Sequence, residues 1–295
     1  MRARWFGVAL VIGLIAYGCA AHAEMHPAIS SPSQIRLPLD AFKMTDEEYL
    51  ARKRAIAIVG RACMSRFSLD WPVPRRTHPR LRTTERRYGV VGIETAERWG
   101  YHPPIDEVAD RQARLDEQAE DSQPAAAQAV WIGARRMYGH VAVPLGGCFG
   151  EAEHLLEQRL PAADLQLAER LDAAASATAE RDPRVHAAFD AWRDCMRQAG
   201  LSYADPWAAN NDPAWAANPG PDGVVAGPTP REREVARADA ACRSRVDLVG
   251  IWVATEADHQ RRLIDAHRAE LATVRRWLDA ERSLINATLA TAASR

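Results

Sequence analysis

The sequence predicts a mainly α-helical fold, a helical bundle of two disulfide-joined halves with long loops. Apolar residues recur at steps of three and four through residues 45–67, 183–199 and 229–278, the period of an amphipathic helix. Strand-like alternation is confined to residues 88–93 and 140–144, both short. Outside the N-terminal segment the cysteines, at 63, 148, 195 and 242, form an even set that lacks the close C-x-x-C pairs of zinc sites. Cys63, Cys148, Cys195 and Cys242 are therefore expected to be paired as disulfides in an oxidising compartment.

Residues 1–23 read as an export signal. Arg2 and Arg4 give a positive start, and the apolar run over 5–18 is too short to remain as a membrane-spanning helix. Two cleavage positions compete. Ala21-His22-Ala23 is the small-x-small pattern of ordinary signal peptidase, whereas Ala16-Tyr17-Gly18-Cys19 is a loose lipobox that makes Cys19 a lipidation candidate. Cleavage after 18 would leave a diacyl or triacyl anchor as the one expected membrane attachment, and cleavage after 23 a free soluble protein. Loss of Arg2 and Arg4 takes the formal charge from −1 to about −3, a near balance that argues against a nucleic-acid partner.

Residues 24–38 form a polar tether with no periodicity, followed by an N-terminal helical half over 39–160 and a C-terminal half over 161–295 that ends in a long helix. Thr45 with Glu48 is a capping box that opens a helix to about residue 67, its buried face carrying Tyr49, Ile56, Val59, Cys63 and Phe67. Residues 70–90 are a basic loop containing Arg75, Arg76, Arg80, Arg82, Arg86 and Arg87; a solvated face is its ordinary role, and contact with anionic lipid or wall polymer its functional one. Helices are expected over 106–118 and 125–137, then from Cys148 to about 159, and from Pro161 to 181. Asp182 caps the next helix, with Pro183 at its first position, Val185, Phe189, Trp192, Met196 and Ala199 on its buried side and Gly200 closing it. Residues 202–228 form the longest structureless stretch, and Thr229-Pro230-Arg231-Glu232 is a second capping box. From there one apolar stripe continues to Leu278, with Gly250 the place where the helix would bend or break.

Four cysteines allow three connectivities. An internal likeness favours one of them, because the residues from Cys63 to Trp71 align without a gap to those from Cys195 to Tyr203, and each copy is followed by a helix bearing another cysteine. The simplest framework joins Cys63 to Cys148 and Cys195 to Cys242. These helix ends, with Pro144-Leu145-Gly146-Gly147-Cys148, Ala238-Asp239-Ala240-Ala241-Cys242 and Glu85-Arg86-Arg87-Tyr88-Gly89, resemble an uncharacterised family of secreted proteins and lipoproteins of filamentous high-GC Gram-positive bacteria. The resemblance implies export and a helical fold built on these cysteines. It carries no catalytic residue over to this chain.

Three groups have the residue types that acid–base or metal chemistry uses. Glu151, His154 and Glu157 share one helix face, but a di-iron site needs a second Glu-x-x-His and two more glutamates that the sequence lacks. His186, Asp190 and Asp194 recur at four-residue steps opposite an apolar stripe, the pattern of a solvated face. His267 interrupts the stripe between Ile264 and Leu271, where a hydrogen-bonded core histidine is the ordinary reading and a pocket residue the sharper one. No nucleophile elbow, phosphate loop or HExxH helix is present, so no catalytic residue is assigned and no metal or cofactor is expected. The expected function is an exported, envelope-associated protein that binds wall polymer or another envelope protein without catalysis. A wall-polymer hydrolase with carboxylates drawn from different helices is the alternative. Trp207 and Trp215 are the candidate ligand or partner surface, their competing role being to fold back and seal the disulfide-joined helices.

Overall fold

The computed structural model describes residues 29–80, 86–215 and 227–294. The signal segment, both cleavage positions, Cys19, Arg82, Glu85 and residues 216–226 of the long loop lie outside the described residues. Among these the chain is mainly α, with eleven helices and one two-stranded ribbon. The helices are α1 (Asp46–Ser65), α2 (Ile93–Trp99), α3 (Glu107–Asp121), α4 (Ala125–Trp131), α5 (Gly147–Glu157), α6 (Leu167–Glu180), α7 (Pro183–Gln198), α8 (Pro206–Asn210), α9 (Pro230–Arg245), α10 (Leu248–Ala266) and α11 (Arg268–Ala293). The antiparallel ribbon pairs β1 (Met137–Tyr138) with β2 (Val141–Ala142).

Two cores form, each around one disulfide. The first gathers Val185, Phe189, Trp192 and Met196 of α7 with Val235 and Ala236 of α9 and Leu248 and Trp252 of α10, and holds Cys195–Cys242. The second gathers Ile56 and Met64 of α1 with Val130 and Trp131 of α4 and Ala152 and Leu156 of α5, and holds Cys63–Cys148. Segments cross between them. Tyr88, Val90, Val91, Ala96 and Tyr101 are buried in the first core, and Ile285, near the far end of α11, is buried in the second. Along its length α11 also buries Leu271, Val274, Trp277 and Leu278 against smaller clusters that include Leu39 and Leu167.

Several local expectations change. The helix expected over 125–137 ends at Trp131, because Gly133 (φ +73°) turns so tightly that a Cβ there would lie 2.4 Å from the Gly147 nitrogen. Met137 is then free to pair in the ribbon, and residues 141–142 supply the short strand foreseen over 140–144. The other stretch with strand-like alternation, 88–93, is irregular backbone leading into α2, an element the sequence did not announce. The helix expected from Pro161 starts only at Leu167, since Asp164 turns its carboxylate onto the Gln166 amide and pairs with Arg170. Residues 206–210 and 213–215 add helical turns inside the supposedly structureless stretch. Tyr49 lies 54% exposed, and Ala199 is exposed as well, since α7 is already ending there. The long C-terminal stripe is three helices, broken at Asp247 (φ +49°) and at His267. Gly250 is not the hinge: a Cβ there would meet the Asp247 carboxylate at 2.3 Å, so glycine makes room for that side chain over the first turn of α10.

Candidate functional site

Charged residues placed at core positions of α9 and α10 build the most distinctive chemistry of the described residues. Asp239 and Arg243 lie one turn apart on α9, almost wholly buried, with Arg243 Nε donating to Asp239 Oδ1 at 2.6 Å. Asp239 also accepts from Trp192 Nε1 at 2.8 Å and from the Tyr101 hydroxyl at 3.2 Å, so a charge with no access to water has its lone pairs occupied. Arg243 Nη1 donates to the Tyr88 carbonyl, while Nη2, equally buried, has no hydrogen-bond partner. Gly89 (φ +76°) passes beneath the guanidinium, where a Cβ would lie 2.9 Å from Nη2.

A second buried cluster meets the first at Tyr88. The Tyr88 hydroxyl donates to Glu256 Oε2 at 2.6 Å, and Arg87 donates to both Glu256 and Asp172, reaching the Asp172 oxygens at 2.6 and 2.9 Å. Lys43 and Gln260 complete Asp172 at 2.7 Å each, and Gln260 Oε1 accepts from the Leu39 amide at 2.9 Å. Burial, followed by the charge of Glu256, pushes the Tyr88 phenol well above its ordinary pKa, and burial followed by Asp239 does the same for Tyr101. Neither phenol ionises near neutrality. Burial would raise the Asp172 pKa, yet hydrogen bonds and charge from Arg87 and Lys43 outweigh it and hold the carboxyl below its usual range.

The accessible face of this network is a cavity of about 410 Å³ at the break between α9 and α10, opposite residues 29–31 and the start of α2. Arg243, Ser244 and Asp247 line one wall, Glu94 and Thr95 the other, with Val91 and Val249 among the apolar groups between. The lining combines hydroxyls and two carboxylates with apolar groups, and the buried Arg243 guanidinium stands behind it. Such a mixture suits recognition of a small polar molecule.

The residues singled out in the sequence fall elsewhere. Glu151 pairs with Arg66 at 2.6 Å, Glu157 with Arg52, and His154 is exposed; among the described residues no cluster of three or more His, Cys, Asp or Glu is arranged to hold a metal. Asp190 and Asp194 pair with Arg193 and Arg197 on the solvated face of α7, while His186 rests against the Phe189 ring. His267 sits half-buried at the junction of α10 and α11 rather than inside one continuous stripe. In the basic loop Arg80 is committed to Asp110 and Glu117, Arg86 to the His102 carbonyl and Arg87 to the core. Both loop indoles fold back on the first core. Trp207 meets Trp252 edge-on at 5.6 Å and donates to Glu180, and Trp215 stacks on Tyr101 at 5.7 Å and donates to the Ala209 carbonyl.

Sequence reasoning missed Asp239, Arg243, Glu256 and Gln260. A signal existed, since these polar residues fall at steps of four on the faces that carry Val235, Val249 and Trp252, where an uncompensated charge would be costly. The pairing of Cys63 with Cys148 and of Cys195 with Cys242 is as the internal likeness favoured. Two such bonds fit an oxidising, extracytoplasmic compartment, and among the described residues no helix is long and apolar enough to cross a membrane. No protein-family profile, curated protein or solved structure matches the chain.

Proposed function

We propose that the protein is exported and works at the cell envelope as a binding or interaction protein without catalytic activity. The observation that carries this reading is how its buried carboxylates are used. Asp172, Asp239 and Glu256 are each surrounded by arginine, lysine, glutamine, tyrosine or tryptophan donors of the protein itself. All three are buried, so they are committed to bonds inside the protein rather than offered to a substrate. The cavity at the α9–α10 break instead brings hydroxyls, the Glu94 and Asp247 side chains and apolar groups together, with the Arg243 guanidinium buried behind its wall, a lining suited to recognition. Export rests on the signal-like residues 1–23 and the two disulfides, and the mature protein is a lipoprotein at Cys19 or a soluble protein starting at Glu24. Intact mass from the native host separates these: acylated Cys19 or free Glu24 supports export, and a retained segment refutes it.

One observation favours the hydrolase alternative, namely that Glu94 and Asp247 line the same cavity. The test is to incubate the purified protein with cell-wall material and measure both retention and release of soluble fragments. Binding without release is expected. Fragment release that disappears in Glu94→Gln, an exposed position whose change leaves the fold intact, would establish the hydrolase instead.

A further inference from the structure

We infer that the end of the molecule formed between α4 and α5 docks on an anionic lipid surface. Residues 122–150 contain no aspartate or glutamate, in a chain with 39 of them, yet include Arg135, Arg136 and His140. Elsewhere on the surface arginines commonly meet a carboxylate within a turn, as Arg193 meets Asp190 and Arg268 meets Asp265. Neither Arg135 nor Arg136 has a carboxylate partner among the described residues. Arg135 lies over the Tyr138 ring instead, at 5.7 Å. The next acid along the chain, Glu151, is turned away onto Arg66.

The same segment exposes the densest run of large apolar side chains among the described residues. Leu145 is fully exposed, and Ile132, Met137, Val141 and Phe149 are each more than a third exposed. The turns bring Ile132, Leu145 and Phe149 to one end, and the ribbon register puts Met137 and Val141 on its two faces. The backbone at Gly133 closely approaches Gly146 and Gly147, next in the chain to Ile132 and Leu145, and Phe149 meets Trp131 edge-on at 5.9 Å. Behind them the support is rigid: Trp131 stacks on Trp71 at 4.6 Å, Tyr138 meets Phe67, and Cys148 is bonded to Cys63 of α1.

A projecting leucine with no walls around it is a knob rather than a pocket. Apolar knobs flanked by unpaired arginines match a bilayer interface, where the side chains enter the acyl boundary and the guanidinium groups meet anionic headgroups. Charge complementarity is what selects a lipid surface over another folded protein, since residues 122–150 carry arginine and histidine and no carboxylate beside the exposed apolar side chains.

The test is vesicle co-sedimentation of the full chain carrying Cys19→Ala, so that no acyl group contributes, with vesicles of phosphatidylcholine alone or mixed with phosphatidylglycerol. Binding to the anionic vesicles is expected to be roughly 10-fold stronger than to neutral ones, and to fall about as far in Leu145→Asp and in Arg135→Glu with Arg136→Glu. Melting temperature should not move, because all three side chains are exposed. Equal binding by the parent and Leu145→Asp would overturn the inference, whether the N-terminal segment or a simple polyanion effect carried it. So would a concentration-dependent dimer that Leu145→Asp abolishes without any vesicle binding, which would make this face a contact between copies of the chain.

Discussion

Gly89 and Tyr88 carry more of the fold than their loop position suggests. Tyr88 links the two buried charge clusters, its hydroxyl on Glu256 and its carbonyl under Arg243, while Gly89 leaves space for the guanidinium. Gly89→Ala should therefore cost about 2–3 kcal/mol, combining a positive φ with displacement of Arg243. Gly200, also at positive φ but with nothing near its missing Cβ, should cost only about 1 kcal/mol on the same change. Equal losses in urea titrations of the two variants would show that the guanidinium moves freely. Asp172 gives a pH prediction with a definite sign. Its folded pKa lies below the ordinary aspartate value of about 3.9, so the unfolded chain takes up the proton first. The stability it adds is complete above that unfolded value and is lost as pH falls through the folded one. Asp172→Asn should be less stable near neutrality and flatten the acid limb of the stability profile; an unchanged slope between about pH 2 and 5 would refute it.

At the scale of elements, the turns inside residues 202–215 act as a cover for the first core. Trp207 combines an edge-on contact with Trp252 and a 2.7 Å hydrogen bond to Glu180. Trp207→Ala should cost about 3 kcal/mol, and Trp215→Ala, which loses one stacked ring and one backbone bond, about 2 kcal/mol. Both variants should keep any retention on wall material that the parent shows. Loss of retention at unchanged stability would return the indoles to a binding role. The start of α9 shows how a local signal can be put to a distant use. Thr229 caps the helix by accepting from the Glu232 amide at 3.1 Å, but Glu232 turns its carboxylate to the Tyr101 amide at 2.7 Å instead of closing the box. Thr229→Ala should cost about 1 kcal/mol in thermal unfolding, and Glu232→Gln more, because it weakens the bond that ties the end of α2 to α9.

For the whole molecule, stability is spread over two disulfide-bearing cores that exchange segments. Replacing Cys195 and Cys242 together by alanine releases a loop of sequence separation 47, and replacing Cys63 and Cys148 one of separation 85. Chain entropy puts each at about 4 kcal/mol, the second slightly larger. Because Ile285 is buried in the core of the Cys63–Cys148 bond, Ile285→Ala should weaken that core by about 2–4 kcal/mol. Hydrogen exchange read helix by helix checks this: protection should fall in α1 and α5 along with α11, and a loss confined to α11 would show that the long helix is an independent appendage.

The sequence by itself determined the helical class, the starts of α1, α3, α7 and α9, and the favoured cysteine framework. Each of these rests on local chemistry: the Thr45, Asp106, Asp182 and Thr229 side chains accept from amides two or three residues on, and apolar steps of three and four choose the buried face. Tertiary structure alone decided the course of residues 86–101, the breaks at Asp247 and His267, and the cavity between α2 and the α9–α10 junction. Those features depend on pairs such as Tyr88 with Glu256 and Tyr101 with Asp239, more than a hundred residues apart along the chain. A buried charge is tolerated only where its partners converge, and that convergence is a property of the assembled cores, invisible to any window of sequence.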